Sequence, residues 1–177
     1  MTAAPQLLVV MGVSGSGKTT VARMLAGDLG WTFAEADEFH PRANIEKMES
    51  GTPLTDSDRW PWLGALRDWA SERADAGEDA VVTCSALKRS YRDLLRGSRA
   101  RVRFVHLDGP AELLAQRIGG RTGHFMPSSL LGSQLETLER LEPDEDGVVV
   151  SIELPAQECA RAAVRALGLE TASADPR

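Results

Sequence analysis

Residues 7–19 read LLVVMGVSGSGKT. Five apolar residues, with β-branched Val9 and Val10 among them, run unbroken to Gly12, the pattern of a short strand buried on both faces. Beyond Lys18, Val21, Leu25 and Leu29 recur at helical spacing and Gly30 supplies a stop. Between strand and helix, Gly12 to Thr19 fits G-x-x-x-x-G-K-[ST] without a gap. The glycines let the backbone curl so that several N–H groups point inward, and the helix behind them adds the positive end of its dipole. Such a cradle suits phosphate. Lys18 is spaced to reach the β- and γ-phosphates of a nucleotide, and the Thr19 hydroxyl to ligate Mg²⁺. Gly12, Val13, Ser14, Gly15, Ser16, Gly17, Lys18, Thr19 and Thr20 are therefore the expected nucleotide-binding set, with Thr19 as the metal ligand. The motif alone does not separate a kinase from an ATPase, a GTPase or a regulatory switch.

Outward from this loop, short apolar runs alternate with helical periodicity. Strands are expected at 31–35 (WTFAE), 80–84 (AVVTC), 102–107 (VRFVHL) and 148–152 (VVVSI). Trp62, Leu66 and Trp69 mark a helix over about 58–74, and Pro110 opens another that runs to about Ile118. Leu131, Leu135 and Leu138 share one further helical face, and Ala160, Ala163, Val164 and Leu167 another. The pattern predicts one α/β domain over 1–170, with a mainly parallel five-stranded sheet covered by helices on both faces. Residues 119–127 (GGRTGHFMP) read as a short lid, and 171–177 (TASADPR) as a frayed tail. Ligands of such sheets bind beyond the carboxyl ends of the strands. Polar residues that follow the second, third and fourth strands are thereby expected on one rim.

Composition narrows the classes. The chain has 177 residues, 42% of them hydrophobic, enough for one domain with a real core. A net charge of -6 argues against general nucleic-acid binding. No apolar run approaches the roughly 20 residues that span a bilayer, and the first residues, MTAAPQ, lack the basic start and apolar core of a signal peptide. The expectation is a cytoplasmic protein with no membrane partner. Cys84 and Cys159 lie far apart and read as two reduced thiols.

Polar chemistry concentrates in ADEFHPRANIEKM, residues 36–48. A helix beginning near Pro41 would align His40, Asn44 and Lys47, spaced four and three apart. By spacing alone they are either a converging binding face or a solvated one. Taken together, the phosphate loop, ADEFHPRANIEKMESGTPLTDSDRWPWL, CSALKRSYRDLL and GHFMPSSLLGSQLETLE resemble the gluconokinase family of short P-loop kinases, in order and spacing, from about Leu7 to Ile152. The H-P-x-x-N-I-x-K-M and C-S-A-L-K-x-x-Y-R segments are more specific than the phosphate loop. The resemblance implies ATP-dependent phosphorylation of D-gluconate to 6-phospho-D-gluconate, Mg²⁺, an adenylate-kinase-like P-loop NTPase fold and a homodimer. Two departures stand out. Ala36 lies between Glu35 and Asp37 where the family commonly has glycine, and residues 55–59 (TDSDR) replace a fuller aspartate run.

Phosphoryl transfer needs an alcohol held in line with the γ-phosphate and charge stabilised around it. Asp37, at the end of the second strand, is the expected acceptor or orienter of the hydroxyl proton. Glu35 either acts on Mg²⁺ through water or is a buried strand-end acid. Gluconate, a carboxylate on a hydroxylated chain, calls for cations at one end and mixed donors and acceptors along the rest. The expected substrate set is Asp37, His40, Asn44, Lys47, Arg59, Ser85, Lys88, Arg92, His124 and Gln134. Arg59 either binds the carboxylate or is held by Asp56 or Asp58. Lys88 and Arg92, four apart, either face one anion or balance Asp93. Arg117 and Arg121 bracket the lid; Arg117 is assigned to the nucleotide and Arg121 to charge developing in transfer. Trp60, Trp62 and Trp69 read as core or dimer contacts, since a linear sugar acid offers no ring face to stack on. Other readings are a different small-acid kinase such as a shikimate kinase, which leaves the two specific segments unexplained, or a non-catalytic nucleotide-dependent switch.

Overall fold

Alternation within the first strand divides the interior in two. The computed structural model describes residues 4–119 and 130–171. In strand β1 (Gln6–Met11), Leu8 and Val10 point to one face of the sheet and Leu7, Val9 and Met11 to the other. All five are buried, as an unbroken apolar run requires. The first face packs under helices α1 (Lys18–Leu29) and α7 (Ala156–Leu167), which touch each other across it. The second packs under α3 (Asp56–Asp75) and α4 (Arg89–Arg96).

The remaining strands are β2 (Thr32–Glu35), β3 (Ala80–Thr83), β4 (Arg101–Asp108) and β5 (Gly147–Ser151). All pairings are parallel and the order is β2-β3-β1-β4-β5. Strands fall within two residues of the expected limits at either end. The helix expected over about 58–74 begins two residues early because Thr55 caps it: its side chain accepts from Asp58 N–H while the Asp58 carboxylate accepts from Thr55 N–H. Helix α5 (Ala111–Gly119) follows Pro110, whose carbonyl accepts from Leu113 and Leu114. Pro110 thus precedes the first turn rather than forming it. Helices α2 (Arg42–Glu49) and α6 (Leu130–Thr137) complete the set.

From β1 the chain crosses to the β2 edge, and from β3 it crosses back over β1 to β4. The carboxyl ends of these neighbouring strands are therefore left with diverging connections, and the crevice between them is the candidate site. Of the expected lid, residues 120–127 lie outside the described residues, as do 172–177 of the tail.

Candidate active site

The phosphate loop is held from below and from the side. Gly12 N–H donates to Ser85 O (3.3 Å), joining the ends of β1 and β3. Gly12 has φ 148°, and a Cβ there would lie 2.8 Å from Leu107 O and from Ser16 Oγ, so only glycine fits. Inside the loop, Ser16 Oγ (2.7 Å) and Lys18 Nζ (3.1 Å) both donate to Val13 O. Thr19 Oγ1 donates to Glu35 Oε1 at 2.5 Å, which brings the expected metal ligand to the strand-end acid. Gln134, on α6, grips the loop at Ser14: its Oε1 accepts from Ser14 N–H (2.7 Å) and its Nε2 donates to Ser14 Oγ (3.1 Å).

One cleft joins this loop to the second strand's end. Lys18, Thr19, Asp37, His40, Arg59, Ser85 and Gln134 line it, with Met48, Trp62, Thr83, Cys84 and Leu87 among the walls. Asp37 sits on a single 3₁₀ turn over Ala36–Phe39 that follows β2 directly. Its side chain is 54% exposed, and its Oδ1 lies 4.0 Å from His40 Nε2. The His40 ring stacks on Trp62 with centroids 3.9 Å apart, and Trp62 Nε1 donates to Ala36 O (2.6 Å). Trp62 is thus the floor that fixes both the turn and the imidazole. Burial, aided by the Arg59 charge, lowers the His40 pKa to about 4, so the ring is uncharged at neutral pH. Arg59 uses one nitrogen for Leu54 O (2.8 Å) and Tyr91 Oη (3.0 Å), and its guanidinium lies over the Tyr91 ring.

Three expected substrate cations are turned elsewhere. Lys47 Nζ donates to Asp58 Oδ2 (2.7 Å). Lys88 Nζ lies 3.3 and 3.4 Å from the Asp56 oxygens, and that carboxylate also accepts from Tyr91 Oη at 2.5 Å. Arg92, expected at the acceptor beside Lys88, is 0% exposed. It forks onto Glu145 at 2.7 and 3.0 Å and donates to Ala86 O (2.8 Å). The reason is the start of α4: Lys88 is its non-helical cap, so the two residues do not share a helix face. Arg92 instead pins a strained turn, since Ala86 has φ 47° in the left-handed region just after Ser85. Asn44 is 4% exposed and is occupied by protein partners.

Arg117 NH2 donates to Ile152 O (2.8 Å). It lines a second hollow on the far side of the loop with Gly17, Thr20, Leu154, Pro155 and Ala156. Arg121 and His124 lie outside the described residues. Sequence reasoning missed Trp62 as a wall of the cleft, because a tryptophan on an apolar helix face carries no sign of which cavity it borders. It also missed Glu145, an acid in a charged loop whose burial follows only from Arg92 reaching it across 53 positions.

Comparison with known proteins agrees with this fold. The family described as an AAA domain matches residues 7–141. A gluconokinase of Gluconobacter oxydans is 58% identical over 147 residues, covering 83% of this chain and 83% of its own. Among solved structures, a sugar kinase from Janibacter sp. superposes with a TM-score of 0.90 at 55% identity, covering 93% of this chain and 95% of that one. A gluconokinase from Sinorhizobium meliloti superposes with a TM-score of 0.83 at 50% identity, covering 94% of each chain.

Proposed function

The chain belongs to the AAA domain family and to the gluconokinases, and on that footing we propose which of its residues carry the reaction. It is an ATP-dependent kinase that phosphorylates gluconate. The observation that carries the assignment of roles is the shared cleft: phosphate-loop Lys18 and Thr19 open onto the same space as Asp37, His40 and Arg59.

ATP lays its triphosphate in the loop from Gly12 to Thr20, with Lys18 on the terminal phosphates. Its nucleoside end occupies the hollow beside Arg117 and the backbone of 153–156. Gluconate enters between Asp37 and Arg59. Arg59, the described cation of the expected substrate set that lines the cleft, takes the carboxylate through the guanidinium edge turned from Leu54 and Tyr91. Asp37 accepts the proton of the terminal hydroxyl as it attacks the γ-phosphorus, giving 6-phospho-D-gluconate. Ser85 and Gln134 complete the walls, and Lys47, Lys88 and Asn44 support them. Arg121 and His124, in the segment expected as a lid and outside the described residues, belong to the same reading: Arg121 is assigned to charge on the transferring group and that segment to excluding water.

Mg²⁺ fits the donors present. Thr19 Oγ1 and Glu35 Oε1 are adjacent hard oxygens, and the described residues hold no cluster of three or more side chains able to cage a metal by themselves. That suits an ion held mainly by nucleotide phosphates, with Thr19 as ligand and Glu35 reached through water. Held there by Thr19 and Glu35, Mg²⁺ would supply positive charge against that of the transferring phosphates. Homodimeric assembly, a cytoplasmic setting, and no nucleic-acid or membrane partner complete the proposal. Among the described residues no helix is long and apolar enough to cross a membrane.

The test is ADP release with Mg-ATP and a panel of gluconate, shikimate, glucose and nucleoside monophosphates. Gluconate-specific release is expected; release with shikimate alone rejects the acceptor reading, and no acceptor-dependent release with ATP binding intact favours a switch. Asp37→Asn should keep ATP binding while transfer falls by about 10²- to 10⁴-fold. Near-normal turnover in that variant removes Asp37 from its role.

A further inference from the structure

Asn44 was expected at the substrate, yet it is almost fully enclosed and its amide nitrogen faces two protein atoms. Nδ2 lies 2.9 Å from Asp58 O and 3.2 Å from His40 Nδ1. The Asp58 carbonyl can only accept, so the amide group beside it has to be the NH₂, which fixes the orientation of the side chain. One hydrogen serves Asp58 O and leaves the other for His40. His40 Nδ1 must then present its lone pair, and the ring proton must sit on Nε2. The imidazole cannot turn away from this arrangement easily, being stacked on Trp62 with its side chain 2% exposed.

Nε2 lies 4.0 Å from Asp37 Oδ1. An oxygen at about 2.8 Å from each atom spans that gap with an angle near 90°, suited to a hydroxyl that accepts from one side and donates to the other. We propose that Asn44 is a positioning residue: it holds His40 as the Nε2–H tautomer, so that the imidazole offers the acceptor alcohol a donor and Asp37 is left as the sole proton acceptor. This rests on the gluconokinase reading and assigns a division of labour within that site. The basic lone pair of His40 is spent on Asn44 and faces away from the reacting oxygen. The charged groups that face the ring are Asp37, from the 3₁₀ turn, and Arg59, from α3. Burial and the Arg59 charge keep the ring uncharged, in accord with a bare Nδ1.

The decisive experiment is a long-range ¹H–¹⁵N correlation spectrum of the imidazoles in ¹⁵N-labelled, substrate-free protein at pH 7, with His40 signals identified by their loss in His40→Gln. Protonated Nε2 with bare Nδ1 is the expected pattern. A protonated Nδ1, or an imidazolium, overturns the proposal. Because the spectrum needs no substrate, failure of gluconate turnover counts against the functional reading and not against the tautomer. A second arm uses Asn44→Asp, which cannot donate to Nδ1. Its His40 should gain a proton at Nδ1, with kcat down about tenfold or more and the KM for ATP unchanged. An unmoved tautomer in that variant overturns the proposal whether or not kcat falls, and the wild-type spectrum decides the tautomer even should Asn44→Asp fail to fold.

Discussion

Arg59 and Lys88 carry the same charge and flank the same Asp56, yet their surroundings predict different losses. Arg59 lines the cleft, with one edge anchored on Leu54 O and Tyr91 Oη. Lys88 spends its ammonium on Asp56. Removing a charged hydrogen-bond donor costs about 1.5–3 kcal/mol, or roughly 10- to 100-fold. Arg59→Ala should therefore raise the KM for gluconate by about that factor at near-constant KM for ATP. Lys88→Ala should change it by about threefold or less, since a half-exposed ion pair with Asp56 contributes little. Steady-state kinetics on the two variants ranks them. An inverted order would move the carboxylate to Lys88. The same logic separates Asn44 from His40: both are polar and in contact, but of the two only the imidazole lines the cleft.

At the scale of elements, α4 is fastened to the connection between α6 and β5 by charge rather than by apolar packing alone. Arg92 and Glu145 are both fully buried at the side chain, and Glu145 also accepts from Arg96 (3.0 Å) and Glu142 N–H (2.9 Å). Burial pushes the Glu145 carboxyl up, but the Arg92 and Glu142 hydrogen bonds outweigh it and hold the pKa at about 2. Breaking such a pair leaves a buried charge uncompensated, which costs about 3–5 kcal/mol, whereas replacing both partners with apolar groups costs far less. Arg92→Met should lower the urea-unfolding free energy by about that amount, and the Arg92→Met/Glu145→Leu double variant should recover part of it. Full additivity in this cycle would mean that the pair is not coupled. The strained Ala86 turn gives the pair a functional reach, because Arg92 holds the carbonyl next to Ser85. On the opposite side of the loop, Gly15 has φ 84°, and a Cβ there would lie 2.8 Å from Leu114 O, so α5 backs directly against the phosphate loop.

For the whole molecule, pH reads out two buried imidazoles. His40 and His106 both have pKa values lowered to about 4 by burial, and His106 Nδ1 is buried without a hydrogen-bond partner among the described residues. Unfolded histidine titrates near 6.5, so between about pH 6.5 and 4 the unfolded chain binds more protons and stability rises with pH. The contribution is complete above about 6.5 and is lost on acidification. Glu145 acts lower, its contribution lost below its unfolded value of 4.5 toward 2. The urea midpoint should thus be flat from pH 8 to 7 and fall from 6.5 to 4.5, with His106→Leu reducing the slope by about half. An unchanged slope in that variant assigns the effect elsewhere. Much of the fold was legible without coordinates, because the unbroken run at 7–11, the glycine-rich loop and the alternating periods are local signals that dictate strand, cradle and helix wherever they occur. The same locality put Lys18, Thr19 and Asp37 on one cleft, since each is tied to a loop or strand end by sequence position. Lys47, Lys88 and Arg92 show the boundary. Their charge is written in the sequence, but its partner is chosen by folding, when Asp58, Asp56 and Glu145 arrive from 11, 32 and 53 residues away. The sequence by itself determined the architecture and the phosphate cradle. Only the tertiary structure decided which cations remain for a ligand and which nitrogen of His40 holds the proton, because a charge or a lone pair is available only after every nearer partner has been served.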